Sequence, residues 1–363
     1  MARKPDFTMA LYASRHHDHN IFDDLRFSGA FDAVAVYYTD EPKKRPWVWR
    51  RGVKFGAKML ENLKGFNFWV PGDAPPPAAN GKPCFVLQDL DPKGTLFAPW
   101  NERVDDGSTT AALRGRHDCI VFSAGTGHPL TDERSIVQGD FGFTAVNVGS
   151  IERATPIPGR DRMEDAAALG RNAHHYLVVS VYGTQVEIER RDSVASNRKP
   201  FAPVWAVDIA KYGGYDYATR KATAGVPQFA GGAKATVAEE PGGQVVVSFP
   251  AAKAVRGGRP YEYEVTARHQ ITNLEIVDGQ KRVYAPDFAT AFEEGTKDVR
   301  CYFQRADLVW DVETIFDVRP MNCFGVKGAP ISGGIYLESP GEREIRLKNE
   351  AKAKRKAAKK GGK

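Results

Sequence analysis

Residues 16–24 read HHDHNIFDD, which sets His16, His17 and His19 among Asp18, Asp23 and Asp24. Imidazole nitrogens and carboxylate oxygens at this density are the donor set of a divalent-metal centre. The competing reading is a solvated polar loop, because three histidines within four positions point in different directions. His174 and His175 open a predicted strand and read as structural, while His117 and His269 have no convergent partners nearby in the sequence. Other chemistries lack their residues. SAGTG (123–127) has no G-x-G-x-x-G spacing, and neither a Gly-Lys-Ser/Thr phosphate loop nor a G-x-S-x-G elbow is present. Cys84 and Cys119 fall inside predicted buried strands and read as inert core thiols.

Charge points to a second kind of chemistry. The chain has 51 Lys+Arg against 45 Asp+Glu. The last thirteen residues, AKAKRKAAKKGGK, hold seven of those basic residues (Lys352, Lys354, Arg355, Lys356, Lys359, Lys360 and Lys363) and no acid. Residues 1–350 therefore sum to −1, and the basic character belongs to the C-terminal segment. That segment reads either as a solvated tail or as an electrostatic arm for an acidic partner such as nucleic acid, an acidic protein tail or a membrane surface. RPWVWRR (45–51) interleaves Trp47 and Trp49 with arginines, which suits stacking on a partner. Core packing of at least one of these tryptophans is the stronger reading. RDSVASNRKP (191–200) reads as a solvated loop.

These groups need a scaffold, and 363 residues allow about two domains. A hydrophobic content of 42% excludes a wholly disordered chain. No apolar run approaches the roughly 18 residues needed to span a bilayer. The start, MARKPDFTMALYAS, lacks the apolar stretch of a signal peptide. With four scattered cysteines, the expectation is a reducing, cytoplasmic setting.

FTMALYA (7–13), FDAVAVYY (31–38), FNFWV (66–70), CFVLQ (84–88) and CIVFS (119–123) are short apolar runs that predict buried strands. Phe55, Met59, Leu60 and Leu63 recur at helical spacing between Val53 and Gly65. HHYLVVSVYGTQVEIERRD (174–192) predicts two strands about a turn at Gly183. ATAGVPQFAGGA (222–233) reads as a linker, after which short strands recur regularly. In YEYEVTAR, Tyr261, Tyr263, Val265 and Ala267 face one way and Glu262, Glu264, Thr266 and Arg268 the other, the period of a half-buried antiparallel strand.

The order of motifs resembles the calcineurin-like metallophosphoesterases. FVLQDLDPKGT (85–95) followed by DCIVFSAGTGHPLTDERSIVQGDFGFTAVNVGSIE (118–152) is similar to the later half of that domain, with Pro129-Leu130 and Asp132 to Gly139 the closest stretch. FTMALYASRHH, AVAVYYTD and FWVPGDAP follow in the family's order. YAPDF and TIFDVRPMNCFGVKGAPI resemble the fibronectin-III-like module that follows some of these domains. The resemblance implies an α/β fold, a layered α/β/β/α sandwich over residues 1–221. After a linker at 222–233 would come a smaller all-β sandwich over 234–340 and a disordered basic tail over 341–363.

Family members hold two metals, and a metal-bound hydroxide attacks phosphorus. Against that pattern His17 and Asp40 are retained, while Asp73 and Asp89 replace an asparagine and a histidine ligand. Arg15 replaces the first aspartate, Ala74 the histidine that steadies the transition state, and Gly125 with Gly127 both members of the His-x-His pair. The residual His17, Asp40, Asp73 and Asp89 suit at most one cation (Mg²⁺, Mn²⁺ or Ca²⁺), and no cofactor is expected beyond that. The expectation is a catalytically inactive phosphoesterase-like protein serving as a binding or structural component of an assembly. An active hydrolase with an altered site and a nucleic-acid binder acting through its Lys-rich tail stand as alternatives.

Overall fold

The computed structural model describes residues 3–14, 33–38, 53–55, 67–69, 76–96, 104–124, 127–151, 174–193, 200–256, 258–286 and 298–360. The chain divides into two compact units. The first is Met1–Gly225 with Pro286–Glu294 and Cys323–Val326; the second is Val226–Ala285 with Gly295–Asn322 and Lys327–Lys363.

In chain order the first unit contains β1 (Phe7–Ser14), β2 (Ala33–Tyr38), β3 (Val53–Phe55), β4 (Asn67–Trp69), β5 (Cys84–Gln88), α1 (Ser108–Ala112) and β6 (Cys119–Ser123). β7 (Ile136–Gln138), β8 (Thr144–Asn147), β9 (His175–Tyr182), β10 (Gln185–Asp192), β11 (Trp205–Asp208) and α2 (Tyr217–Thr223) follow. One sheet has the order β11-β10-β9-β1-β2-β3 and the other β4-β5-β6-β8-β7. In the second sheet β4, β5, β6 and β8 run parallel, with β7 antiparallel at its edge.

CFVLQ is buried at every position because both of its faces are covered, as parallel strands require. Phe85 and Leu87 meet Phe7, Met9 and Leu11 of β1 and Leu177, Val179 and Val181 of β9 in the core between the sheets. Cys84 and Val86 face the other way, against Trp69, Leu113, Cys119, Val121, Phe143 and Ala145. The hairpin β9–β10 turns at Gly183, whose φ of 68° suits a residue without a side chain.

Two expectations change here. Val53–Phe55 is a strand paired antiparallel to β2 rather than the start of a helix. Val53 and Phe55 alternate with Lys54, so period two wins over the three positions observed; Met59, Leu60 and Leu63 lie outside the described residues. The described helices of this unit, α1 and α2, span only five and seven residues. The described part is thus two β layers, without the long outer helices of an α/β/β/α sandwich.

The second unit is all-β. It holds β12 (Thr236–Glu240), β13 (Gln244–Phe249), β14 (Glu262–His269), β15 (Glu275–Tyr284), β16 (Val299–Gln304), β17 (Glu313–Met321) and β18 (Ile331–Tyr336). A three-stranded sheet β12-β13-β16 faces a four-stranded sheet β15-β14-β17-β18. Phe249 stacks edge-on against Tyr263 at 5.0 Å, and Phe303 lies 5.0 Å from Phe316, joining the two layers. The boundary between the two units, at Gly225 and Val226, falls within the expected linker 222–233, whose residues also take part in structure. Ala222 and Thr223 close α2, Gln228 pairs with Lys253, and Phe229 stacks on Tyr263. The outward face of β14 also departs from expectation: Glu262 and Glu264 are each only 4% exposed. Arg282 and Lys327 lie over them, with Lys327 Nζ 2.6 Å from Glu264.

The segment expected as a disordered tail is helical, α3 (Pro340–Lys360). Its sequence explains why. SPGE (339–342) is a capping box with proline at the first helical position, and the backbone N–H of Glu342 donates to Ser339 Oγ at 3.3 Å. Beyond it come strong helix formers and the i,i+4 pairs Glu344–Lys348 and Arg346–Glu350. Among the described residues no helix is long and apolar enough to cross a membrane.

Candidate functional site

In an open sheet of parallel strands, ligands bind beyond the carboxyl ends of the strands. Here β5, β6 and β8 end in register at Gln88, Ser123 and Asn147, a row of three polar side chains, each buried. Each is held by an internal partner. Thr109 Oγ1 donates to Gln88 Oε1 at 2.7 Å, and Gln88 Nε2 donates to the Leu90 carbonyl at 2.6 Å. Ser123 Oγ donates to Asp91 Oδ1 at 2.5 Å. Asn147 donates to the His128 carbonyl at 3.1 Å and accepts from the Gly149 N–H at 3.2 Å.

The loop after β5 is tied in as well. Asp105 Oδ1 accepts from the backbone N–H groups of Lys93 and Gly107, and the Asp105 N–H donates to the Asp91 carbonyl at 3.0 Å. Asp105 Oδ2 is buried without a hydrogen-bond partner.

The loop from Pro129 to Gln138, which carries the closest sequence likeness, builds structure rather than a ligand set. Asp132 is fully buried and grips Arg134 through both carboxylate oxygens, at 3.0 and 2.7 Å. Burial alone would raise the Asp132 carboxyl, but the guanidinium and backbone N–H of Arg134 hold it below the ordinary value. Next to it, Glu133 joins three elements. It accepts from Arg190 Nη1 at 2.6 Å, from Trp205 Nε1 at 3.1 Å and from Arg220 Nη2 at 3.0 Å. Arg190 is completely buried, donates also to the carbonyls of Leu130 and Pro203, and lies 4.2 Å above the Trp205 ring. Burial pushes the Arg190 pKa down, opposed by the Glu133 carboxylate.

Of the residual metal positions, Asp89 follows β5 directly and is half-buried. His17, Asp40 and Asp73 lie outside the described residues, as do Arg15, Ala74 and Gly125. Gly127 sits at a φ of 59° and offers no side chain. Among the described residues no group of three or more His, Cys, Asp or Glu side chains is arranged to hold a metal.

His16, Asp18, His19, Asp23 and Asp24 lie outside the described residues, while His117, His174, His175 and His269 are built into local structure. His175 Nδ1 accepts from the Leu130 N–H, His174 meets the Ile151 carbonyl at 2.7 Å, and His117 stacks on Tyr212 at 4.3 Å. His269 Nδ1 accepts from the N–H groups of Ile271 and Thr272. Cys84 and Cys119 are buried neighbours in the β5–β6 register. A hydrogen bond between the thiols lowers the Cys84 pKa and raises that of Cys119. Of the basic C-terminal residues, Lys352, Lys354 and Arg355 are exposed on α3; Lys356, Lys359 and Lys360 continue its backbone, and Lys363 lies outside the described residues.

The Arg190–Glu133 pair escaped the sequence reading, although a signal was there. In QVEIERRD, period two puts Arg190 on the inward face with Val186 and Ile188, where a cation needs an acid.

No protein-family model matches the chain, and no curated protein matches it. Among solved structures it is similar to a conserved uncharacterized protein of Streptococcus pneumoniae TIGR4 described as a predicted phosphoesterase. Identity is 14% over 55% of this chain and 97% of that one, with a TM-score of 0.30. It is also similar to a structure of titin domains, at 13% identity over 46% of this chain and 41% of that one, with a TM-score of 0.21. Likenesses this slight carry no function, and the reading of this chain rests on its own geometry.

Proposed function

We propose that the chain is a non-catalytic, phosphoesterase-like protein that serves as a binding or structural component of an assembly. The observation that supports it is the carboxyl edge of the parallel sheet. Gln88, Ser123 and Asn147 end the parallel strands as buried polar groups, and Thr109, Asp91, the Leu90 and His128 carbonyls and the Gly149 N–H engage them. A metal or phosphate entering there would have to break bonds between buried groups, at a cost of about 1–3 kcal/mol for each group left unpaired.

The test is hydrolysis of aryl phosphate monoesters and diesters by the full chain with Mn²⁺, alongside metal analysis of the purified protein. The expected result is turnover at the blank rate and no stoichiometric metal. Turnover that Asp89→Ala or Asp40→Ala abolishes overturns the proposal in favour of a hydrolase with an altered site.

A further inference from the structure

We infer that α3 is a phosphate-backbone reader: a fixed helix carrying a cationic stripe for double-stranded nucleic acid. Its root is fastened within the second unit. Glu239 accepts from Arg343 at 2.8 Å and pairs with Arg305, whose guanidinium also donates to the Glu338 carbonyl. The Ser339 N–H donates to Asp311 Oδ1 at 2.6 Å, and Arg346 pairs with Glu338 at 2.8 Å. Burial would raise the Glu239 carboxyl, yet Arg305 and Arg343 hold it low, so the anchor is ionised at neutral pH.

Helical geometry then sorts the charges. At 100° per residue, positions 352, 355, 356 and 359 share an arc of about 100° and extend about 11 Å along the axis; Lys348, on the same arc, is paired with Glu344. Glu350 and Lys354 fall on the opposite side of the helix, and no acid follows Glu350.

The composition selects the partner. Residues 351–360 contain only Ala, Lys and Arg, so that part of the helix has no aromatic ring to stack on unpaired bases and no apolar anchor larger than alanine for a protein surface; the exposed Ile345 and Leu347 lie before it. What remains is a straight row of cations, which suits the regularly spaced phosphates of a duplex, read without regard to sequence.

The experiment is binding of the full chain to a labelled random-sequence DNA duplex across a salt series, followed by anisotropy. Four phosphate contacts predict a log-log slope of about −3.6, and each contact is worth about eightfold at 0.1 M salt. Lys352→Gln is expected to weaken binding about eightfold, and Lys354→Gln, on the far side, less than twofold. Lys352→Gln with Lys356→Gln and Lys359→Gln is expected to cost about 500-fold and to flatten the slope by about 2.7. Glutamine is itself a good helix former, and far-ultraviolet circular dichroism checks that α3 persists.

Equal losses for Lys352→Gln and Lys354→Gln would overturn the stripe. Absence of duplex binding at 50 mM salt would overturn the inference altogether. Tighter binding to single strands or to poly-glutamate would reassign the surface and also overturn it. None of these outcomes depends on whether the first unit hydrolyses phosphate esters.

Discussion

Arg190 and Glu133 should differ sharply in what their removal costs. Arg190 has a side chain 1% exposed, whereas that of Glu133 is 23% exposed. Glu133→Ala takes the carboxylate away from a buried guanidinium that also meets the carbonyls of Leu130 and Pro203 and the Trp205 face. Removing one partner of a buried pair costs about 3–5 kcal/mol. Arg190→Met leaves a different remainder. Methionine fills much of the volume, and Glu133 keeps Arg220, the Trp205 N–H and some contact with water. The loss is then chiefly the unmet buried carbonyl of Leu130, about 1–3 kcal/mol, because Pro203 is exposed and its carbonyl can turn to water. Glu133→Ala should therefore be the worse variant by about 2 kcal/mol. In a unit of this size each kcal/mol shifts Tm by about 2–4 °C. The assay is scanning calorimetry of the full chain, following the transition of the first unit, with Trp205 fluorescence to assign it. If Arg190→Met is the more damaging, or if neither variant moves the transition by as much as 2 °C, the reasoning about buried charge is refuted.

Two further outcomes follow from the first unit. Asp132 is ionised below its ordinary pKa when folded, so the stability it supplies is fully present above about pH 4, the unfolded carboxylate value, and is lost as pH falls through the lowered folded value. Acid unfolding of Asp132→Asn, followed by circular dichroism, should show a shallower loss of stability below pH 4 than the parent from its own lower starting point; an identical pH dependence would contradict this. Gly142 has a φ of 83°, and an added Cβ would come within 2.5 Å of the Gly115 backbone. Gly142→Ala should cost about 2 kcal/mol or more in denaturant unfolding, and a neutral result would mean that the 115–142 contact gives way easily.

How far the sequence could be read depended on which interactions were local. Strands with both faces apolar, such as CFVLQ and CIVFS, and the alternation of Val186 and Ile188 announce themselves, because the period follows directly from burial. The disposition of Val53–Phe55 did not, since three residues satisfy both periods until β2 pairs with them. The C-terminal helix was legible in SPGE and in the i,i+4 pairs, but net charge drew attention away from them. At the candidate site, the pairing of Ser123 with Asp91 and of Thr109 with Gln88 joins residues 32 and 21 positions apart and emerges only when the strands stand side by side. For the same reason Glu133 gave no hint that Arg190, Trp205 and Arg220 would converge on it.

The burial of the cysteines gives the protein two internal clocks. Cys84 and Cys119 have no accessible surface in the first unit, and Cys301 has none in the second. An alkylating reagent reaches each thiol only when its own sheet opens, so labelling rates in native buffer report the opening free energies of the two units separately. Mass spectrometry of the labelled peptides would show whether the units open together or one at a time, a distinction that a single melting curve blurs.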